Sequence, residues 1–176
     1  KKIKYVFAML LVGAFTLTVS AQSKKEKETI KDSDKAVKTL LKLDPNLKTF
    51  FDKSAGYVMF PNVGKGGFII GGAGGNGVLY ENGKHIGGAS ITEFSIGAQI
   101  GGQSLIEVIF FEQKSDVEKF KAGNFEFDAG MSATAVKSGV SMNAKYKDGT
   151  AVFTHAKGGL MAEVSVGGQK FKYKPY

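Results

Sequence analysis

The sequence predicts an α+β fold: N-terminal amphipathic helices packed on a Gly-rich, strongly curved antiparallel sheet, or partly closed barrel, of about eight strands. Three observations carry this. Apolar residues recur with a period of 3.6 before residue 56 and with a period of two after it. Turn pairs punctuate the second part at Asn82-Gly83, Asp148-Gly149, Gly158-Gly159 and Gly167-Gly168. The chain holds 24 glycines, most of them in the strand-like part, where they mark turns and side-chain-free places on strands.

The first segment reads as a targeting signal. Lys1, Lys2 and Lys4 precede an apolar run from Tyr5 to Val19, and Val19-Ser20-Ala21 gives small residues before Gln22. That is the pattern of a secretory signal peptide over residues 1–21. The run is shorter than the roughly 18–20 residues a spanning helix needs. Residues 22–176 then form a single domain, helical over 24–55 and mostly strand over 57–175. Export places it in the periplasm or outside the cell, peripheral to a membrane. With no Cys, the chain has neither a disulfide framework nor a cysteine for acylation.

Residues 24–43 fit one helix. Ile30, Val37, Leu40 and Leu41 fall on one side, with Ala36 and Leu43 at its edge. Lys27, Lys31, Lys35, Lys38 and Lys42 fall within about 80° of one another on the helical wheel. Asp44-Pro45 reads as N-cap and first residue of a second, short helix that carries Leu47, Phe50 and Phe51 and ends near Gly56. Beyond it, "GGFIIGGAGGNGVLY" (66–80) contains Gly72, Gly74 and Gly77 in the spacing of a dinucleotide loop. Such a loop must open a helix. Gly77 leads instead into a β-branched and aromatic run and then Asn82-Gly83, so the segment reads strand–turn–strand.

Alternation predicts further strands. Phe94, Ile96, Ala98 and Ile100 alternate with Glu93, Ser95, Gly97 and Gln99. The same pattern holds for Phe125 to Ala133, for Val140 to Tyr146 and for Leu160 to Val166, all read as strands in meander order. "SLIEVIFFE" (104–112) is apolar on both faces and suits a central strand covered by the helices. One helix interrupts the series, with Ser115 and Glu118 as a capping box and Gly123 as its end.

At this point the residues resemble a family. "SAGYVMFPNVGKGGFIIGGAGGNGVL" is similar to the signature of the SYLF domain, with "GGQSLIEVIFF" and "GGLMAEVSVGG" similar to its later blocks. The resemblance covers roughly residues 30–174. It implies a non-enzymatic lipid-binding module that takes phosphoinositides in the characterised eukaryotic members, and fungal members also bind and bundle actin. An amphipathic N-terminal segment and basic residues are implicated. Membrane-surface binding is the implied property that fits an exported, bacterial-type member.

The remaining features weigh against an enzyme. His85 and His155 are isolated and give no metal-ligand spacing. Glu93 and Glu107 fall on predicted strands, where a facing pair would suit acid/base work, but solvent-facing positions are the expected reading. No nucleophile elbow is present. The sequence therefore assigns no catalytic residue, metal or cofactor. Nor does it favour nucleic acid: there are 24 Lys and no Arg, and without the signal 21 Lys stand against 16 Asp and Glu, a net +5. The lipid-binding candidates are the helix stripe Lys27, Lys31, Lys35, Lys38 and Lys42 and the strand lysines Lys170, Lys172 and Lys174 of "GQKFKYKPY". Both could meet the headgroups of an anionic phospholipid surface. The alternative is a scaffold that binds another protein, as the actin-binding relatives do. A third reading is a barrel interior that holds an apolar ligand.

Overall fold

A computed structural model describes residues 24–64, 73–93, 104–158 and 164–176. The signal-peptide segment 1–21 and the strand expected over 94–100 lie outside the described residues. The first helix, α1, spans 24–43 as its periodicity predicts. Ser33, Ala36 and Leu40 form its buried line, while Val37 and Leu41 are half-buried flanks rather than its centre. Asp44 ends it in extended backbone, and a 3-10 turn, Pro45–Leu47, leads into α2 (Lys48–Lys53).

Eight strands come next among the described residues: β1 (Gly56–Val63), β2 (Ala73–Glu81), β3 (Lys84–Glu93), β4 (Leu105–Phe111), β5 (Ser132–Ala135), β6 (Thr150–Ala156), β7 (Val164–Ser165) and β8 (Lys170–Pro175). A helix, α3 (Lys114–Lys121), stands between β4 and β5. The spatial order is β7-β5-β6-β4-β1-β2-β3-β8, which corrects the expected meander. Neighbours run antiparallel except β5 and β6, which are parallel. A parallel pair needs a long crossover rather than a hairpin. Residues 136–149 supply it, and so the alternation from Val140 to Tyr146 belongs to a 3-10 turn, Val140–Asn143, and irregular chain, not to a strand. Residues 124–131 are likewise irregular, although Phe127, Met131 and Ala133 are buried where alternation put them.

The sheet is curled. Only residues 166–169 join its two edge strands, β7 and β8. Eight strands laid flat at about 4.8 Å spacing would hold their edges about 34 Å apart. Five residue steps reach at most about 18 Å. The edges must therefore turn toward each other, giving a half-barrel. Val164 of β7 and Phe171 of β8 meet in one core cluster with Phe60, Phe111, Phe120 and Phe127, which marks it as the inside of the curl. Phe125 packs among these rings at centroid distances of 5.0–5.9 Å. Phenylalanine thus lines the inside of the curl among the described residues.

The outer face carries a second core. Met59, Tyr80, Phe110 and Phe153 of the sheet are covered by Ala36 and Leu40 of α1 and by Phe50 of α2. β4 lies between the two cores with all seven residues buried, and so it is apolar on both faces. Asn82 (φ 49°) and Gly83 (φ 72°) make the predicted turn between β2 and β3. Gly74 and Gly77 lie within β2, which continues as strand to Glu81. A Cβ on Gly77 would stand 2.5 Å from Met59 O and from the Phe60 ring, so close contact with β1 accounts for the glycine. The capping box of α3 lies two residues before the expected one. Gln113 is its N-cap and donates its amide to Asp116 Oδ2 at 3.2 Å. Gly123 (φ 74°) closes the helix as predicted. No helix among the described residues is long and apolar enough to cross a membrane.

Candidate functional site

The helix α1 is fixed to the sheet by polar as well as apolar contacts. Tyr80 of β2 donates its hydroxyl to Asp34 Oδ1 at 3.0 Å. Its ring stacks on that of Tyr57 of β1 at 4.7 Å. Burial and then the Asp34 charge push the Tyr57 phenol up to about 12, and burial together with the Asp34 bond pushes Tyr80 well above its ordinary value. With its apolar side docked, α1 turns its lysine stripe outward. Lys27, Lys31, Lys35, Lys38 and Lys42 are all exposed.

Four of these lysines, Lys27, Lys31, Lys35 and Lys38, line a hollow of about 510 Å³ with Ile30, Asp34 and His85. A second groove, of about 460 Å³, adjoins it at the first turns of α1. Lys25, Glu26 and Thr29 form one wall of that groove. Lys172, Tyr173, Lys174 and Tyr176 form the other, and Gly77 and Gly88 give a side-chain-free floor. Lys174 Nζ lies 3.8 Å from Glu26 Oε1, which ties the last strand to the first helix. His85 meets Tyr80 and Tyr176 edge-on at 6.5 and 5.9 Å and stands where the two hollows approach.

Two basic stretches from opposite ends of the sequence therefore form one band. On β8, Lys170, Lys172 and Lys174 are exposed while Phe171 is buried, as alternation predicts. Lys42 and Lys170 line neither hollow; Lys170 pairs with Thr92 at the end of β8 away from Lys174. Lys35 stands 3.5 Å from Asp32. Exposed pairs of this kind hold their charges weakly, at about 0–1 kcal/mol. Among the described residues, Lys27, Lys31, Lys38, Lys42, Lys170 and Lys172 make no ion pair. Sequence reasoning did not find Tyr176, Glu26 and Asn76 as walls of the groove. They face it only because β8 pairs with β3, a contact with no local signal.

Glu107, expected on a solvent-facing strand position, is placed differently. Glu107 is 0% exposed and accepts a hydrogen bond from Gln169 Nε2 at 3.0 Å. Thr154, opposite it on β6, is equally buried. Glu93 ends β3, and β1 and β2 intervene between it and Glu107, so the two form no neighbouring pair in the sheet. His155 is half-buried on β6, and burial lowers its pKa. Among the described residues no group of His, Asp and Glu is arranged to hold a metal ion.

Comparison with known proteins adds a family. Residues 92–174 match the model of the Ysc84 family, described as Las17-binding protein actin regulator. The chain is also similar to beta cell expansion factor A of Aeromonas veronii, 29% identical over 143 residues, which covers 79% of this chain and 53% of that protein. The chain thus spans about half the length of this curated relative.

Proposed function

We propose that this chain, whose residues 92–174 match the Ysc84 (SYLF) family model, is an exported, non-enzymatic module that associates with anionic phospholipid surfaces. The observation that carries the reading is the convergence of Lys27, Lys31, Lys35 and Lys38 with Lys172 and Lys174 along two adjoining hollows. Each Lys near an anionic surface contributes about 1 kcal/mol, so six could supply several even after Glu26, Asp32 and Asp34 offset part. The helix acts through its flank. Its apolar side covers the sheet, and so the ammonium groups, rather than an inserted helix, meet the headgroups. With no Arg the chain lacks bidentate grips on phosphate. Point charges then read headgroup charge, phosphoinositide-like headgroups included, more than headgroup shape. The targeting pattern of residues 1–21 supports a periplasmic or secreted location, peripheral to a membrane.

Co-sedimentation with vesicles tests this. The protein should pellet with phosphatidylcholine vesicles containing phosphatidylserine and not with pure phosphatidylcholine, and the retention should fade with salt. Replacing all six lysines by Gln should abolish retention. Equal pelleting of the variant would overturn the assignment of the site. The description of the family as Las17-binding favours a second reading, a scaffold for a protein partner. In that case binding would ignore vesicle charge.

A further inference from the structure

Two large apolar side chains stand exposed among the described residues, Met142 at 71% and Tyr176 at 49%. Tyr176 belongs to the groove beside β8. Met142 lies elsewhere, on the 3-10 turn Val140–Asn143 of the crossover between β5 and β6. That turn is held in place. Ser141 points inward and donates both its amide (2.8 Å) and its hydroxyl (2.6 Å) to the buried Asp44 Oδ2. Met142 N donates to Gly139 O at 3.3 Å and Ala144 N to Ser141 O at 3.2 Å, with Gly139 at φ 76°. A side chain on such a turn is presented outward by its backbone; it is not a loop residue free to fold back.

Its surroundings are basic. Met142, Phe50 and Tyr146 line a hollow of about 660 Å³ with Lys53 and Lys145, and Glu112 is the acid among its lining residues. Between residues 137 and 147 the chain carries Lys137, Lys145 and Lys147, all exposed, and no Asp or Glu. An apolar tip with Lys53 and Lys145 on the same hollow and Lys137 and Lys147 exposed on the same crossover matches a surface that is anionic outside and apolar just beneath, which is the layering of an anionic bilayer. The apolar side of α1 is docked on the sheet and cannot supply that insertion.

We propose that Met142, held out by the Asp44-anchored turn, enters the acyl layer of an anionic bilayer while Lys53, Lys137, Lys145 and Lys147 meet its headgroups. The inference rests on the lipid-surface reading above and deepens it by adding a second attachment point, one that reads apolar depth and not only charge.

The chain contains no Trp, so Met142→Trp creates a single fluorescent reporter. Lys84→Trp, on the exposed β2–β3 hairpin, serves as the control. On vesicles of phosphatidylcholine with phosphatidylserine, the Met142→Trp emission should shift to the blue and be quenched by brominated acyl chains, and that of Lys84→Trp should do neither. Met142→Asp should melt like the parent protein and be retained about tenfold less on the same vesicles, the weight of one apolar side chain left in water. If the protein pellets with the vesicles but the Met142→Trp emission does not move, the insertion is overturned and the lysine-band reading stands. If nothing pellets, both fall. A blue shift without vesicles that grows with protein concentration would put a second copy of the chain on the knob and would also overturn the proposal.

Discussion

Asp44 is the side chain on which most depends. It is 1% exposed and accepts from Asn46 N (3.1 Å), Asn46 Nδ2 (3.0 Å), Ser141 N (2.8 Å) and Ser141 Oγ (2.6 Å). Burial alone would raise its pKa, but the bonds from Ser141 and Asn46 outweigh it and hold the carboxyl at about 2. The folded value lies below the unfolded one, near 3.8. Asp44 therefore contributes stability that is fully present above about pH 4 and is lost as pH falls toward 2, about 2 kcal/mol in all. Denaturant titrations of the parent and of Asp44→Asn should differ at pH 6 and converge near pH 2; a gap that persists at pH 2 would rule this out. The sequence disclosed half of this role. Asp44-Pro45 announced the cap, but Ser141, 97 positions on, has no local signature. Glu107 makes the same point in reverse, since a solvent-facing strand position was expected for it and the curl of the sheet buried it. Gly77 offers a second residue-scale prediction. Gly77→Ala would push a methyl group against Met59 O and Phe60 and should cost roughly 1–3 kcal/mol, read as a lower denaturant midpoint with an unchanged slope.

Among the elements, α1 was the most legible, because a period of 3.6 over its whole length fixes both its extent and its two faces. Its docking depends on Leu40, which is fully buried, and on the Tyr80–Asp34 bond. Leu40→Ala should destabilise by about 2–5 kcal/mol, and Tyr80→Phe by about 1 kcal/mol. Hydrogen exchange should place the loss in residues 24–43 first; uniform loss across the sheet would argue against α1 as a separately docked element. The crossover 136–149 was misread because alternation put Met142 inward and Ser141 outward, whereas the 3-10 turn Val140–Asn143 buries Ser141 on Asp44 and leaves Met142 exposed. Tyr146 and Val136 do pack on the outer core, but from chain that must run the length of the sheet so that β6 can lie parallel to β5. The capping box of α3 was displaced for a related reason. Ser115 and Glu118 had the right spacing, but Asp116, buried beside the Asp148-Gly149 turn, closes the box with Gln113 instead.

Over the whole molecule, curling gives the chain its outward-facing band. Because β8 returns to pair with β3, the last strand lies beside the first turns of α1, and lysines more than 130 positions apart lie along adjoining hollows. The response to charge removal should be graded. Gln at Lys172 and Lys174 alone should weaken retention on anionic vesicles partly, and Gln at Lys27, Lys31, Lys35 and Lys38 alone should weaken it more, since each charge acts as an independent point. Full loss from either set, measured by co-sedimentation at fixed salt, would mean that one stretch alone makes the contact.

The sequence by itself determined the limits of α1, the β-turn at Asn82-Gly83, the central position of β4 and the outward faces of Lys27 to Lys42 and Lys170 to Lys174. These arise from periodicity and backbone preference, which act over a few residues. Strand order, the burial of Glu107, the meeting of the two lysine stretches and the exposed stance of Met142 were decided only by the tertiary structure. Each depends on which distant segments pair across the half-barrel, and pairing partners leave no trace in local spacing.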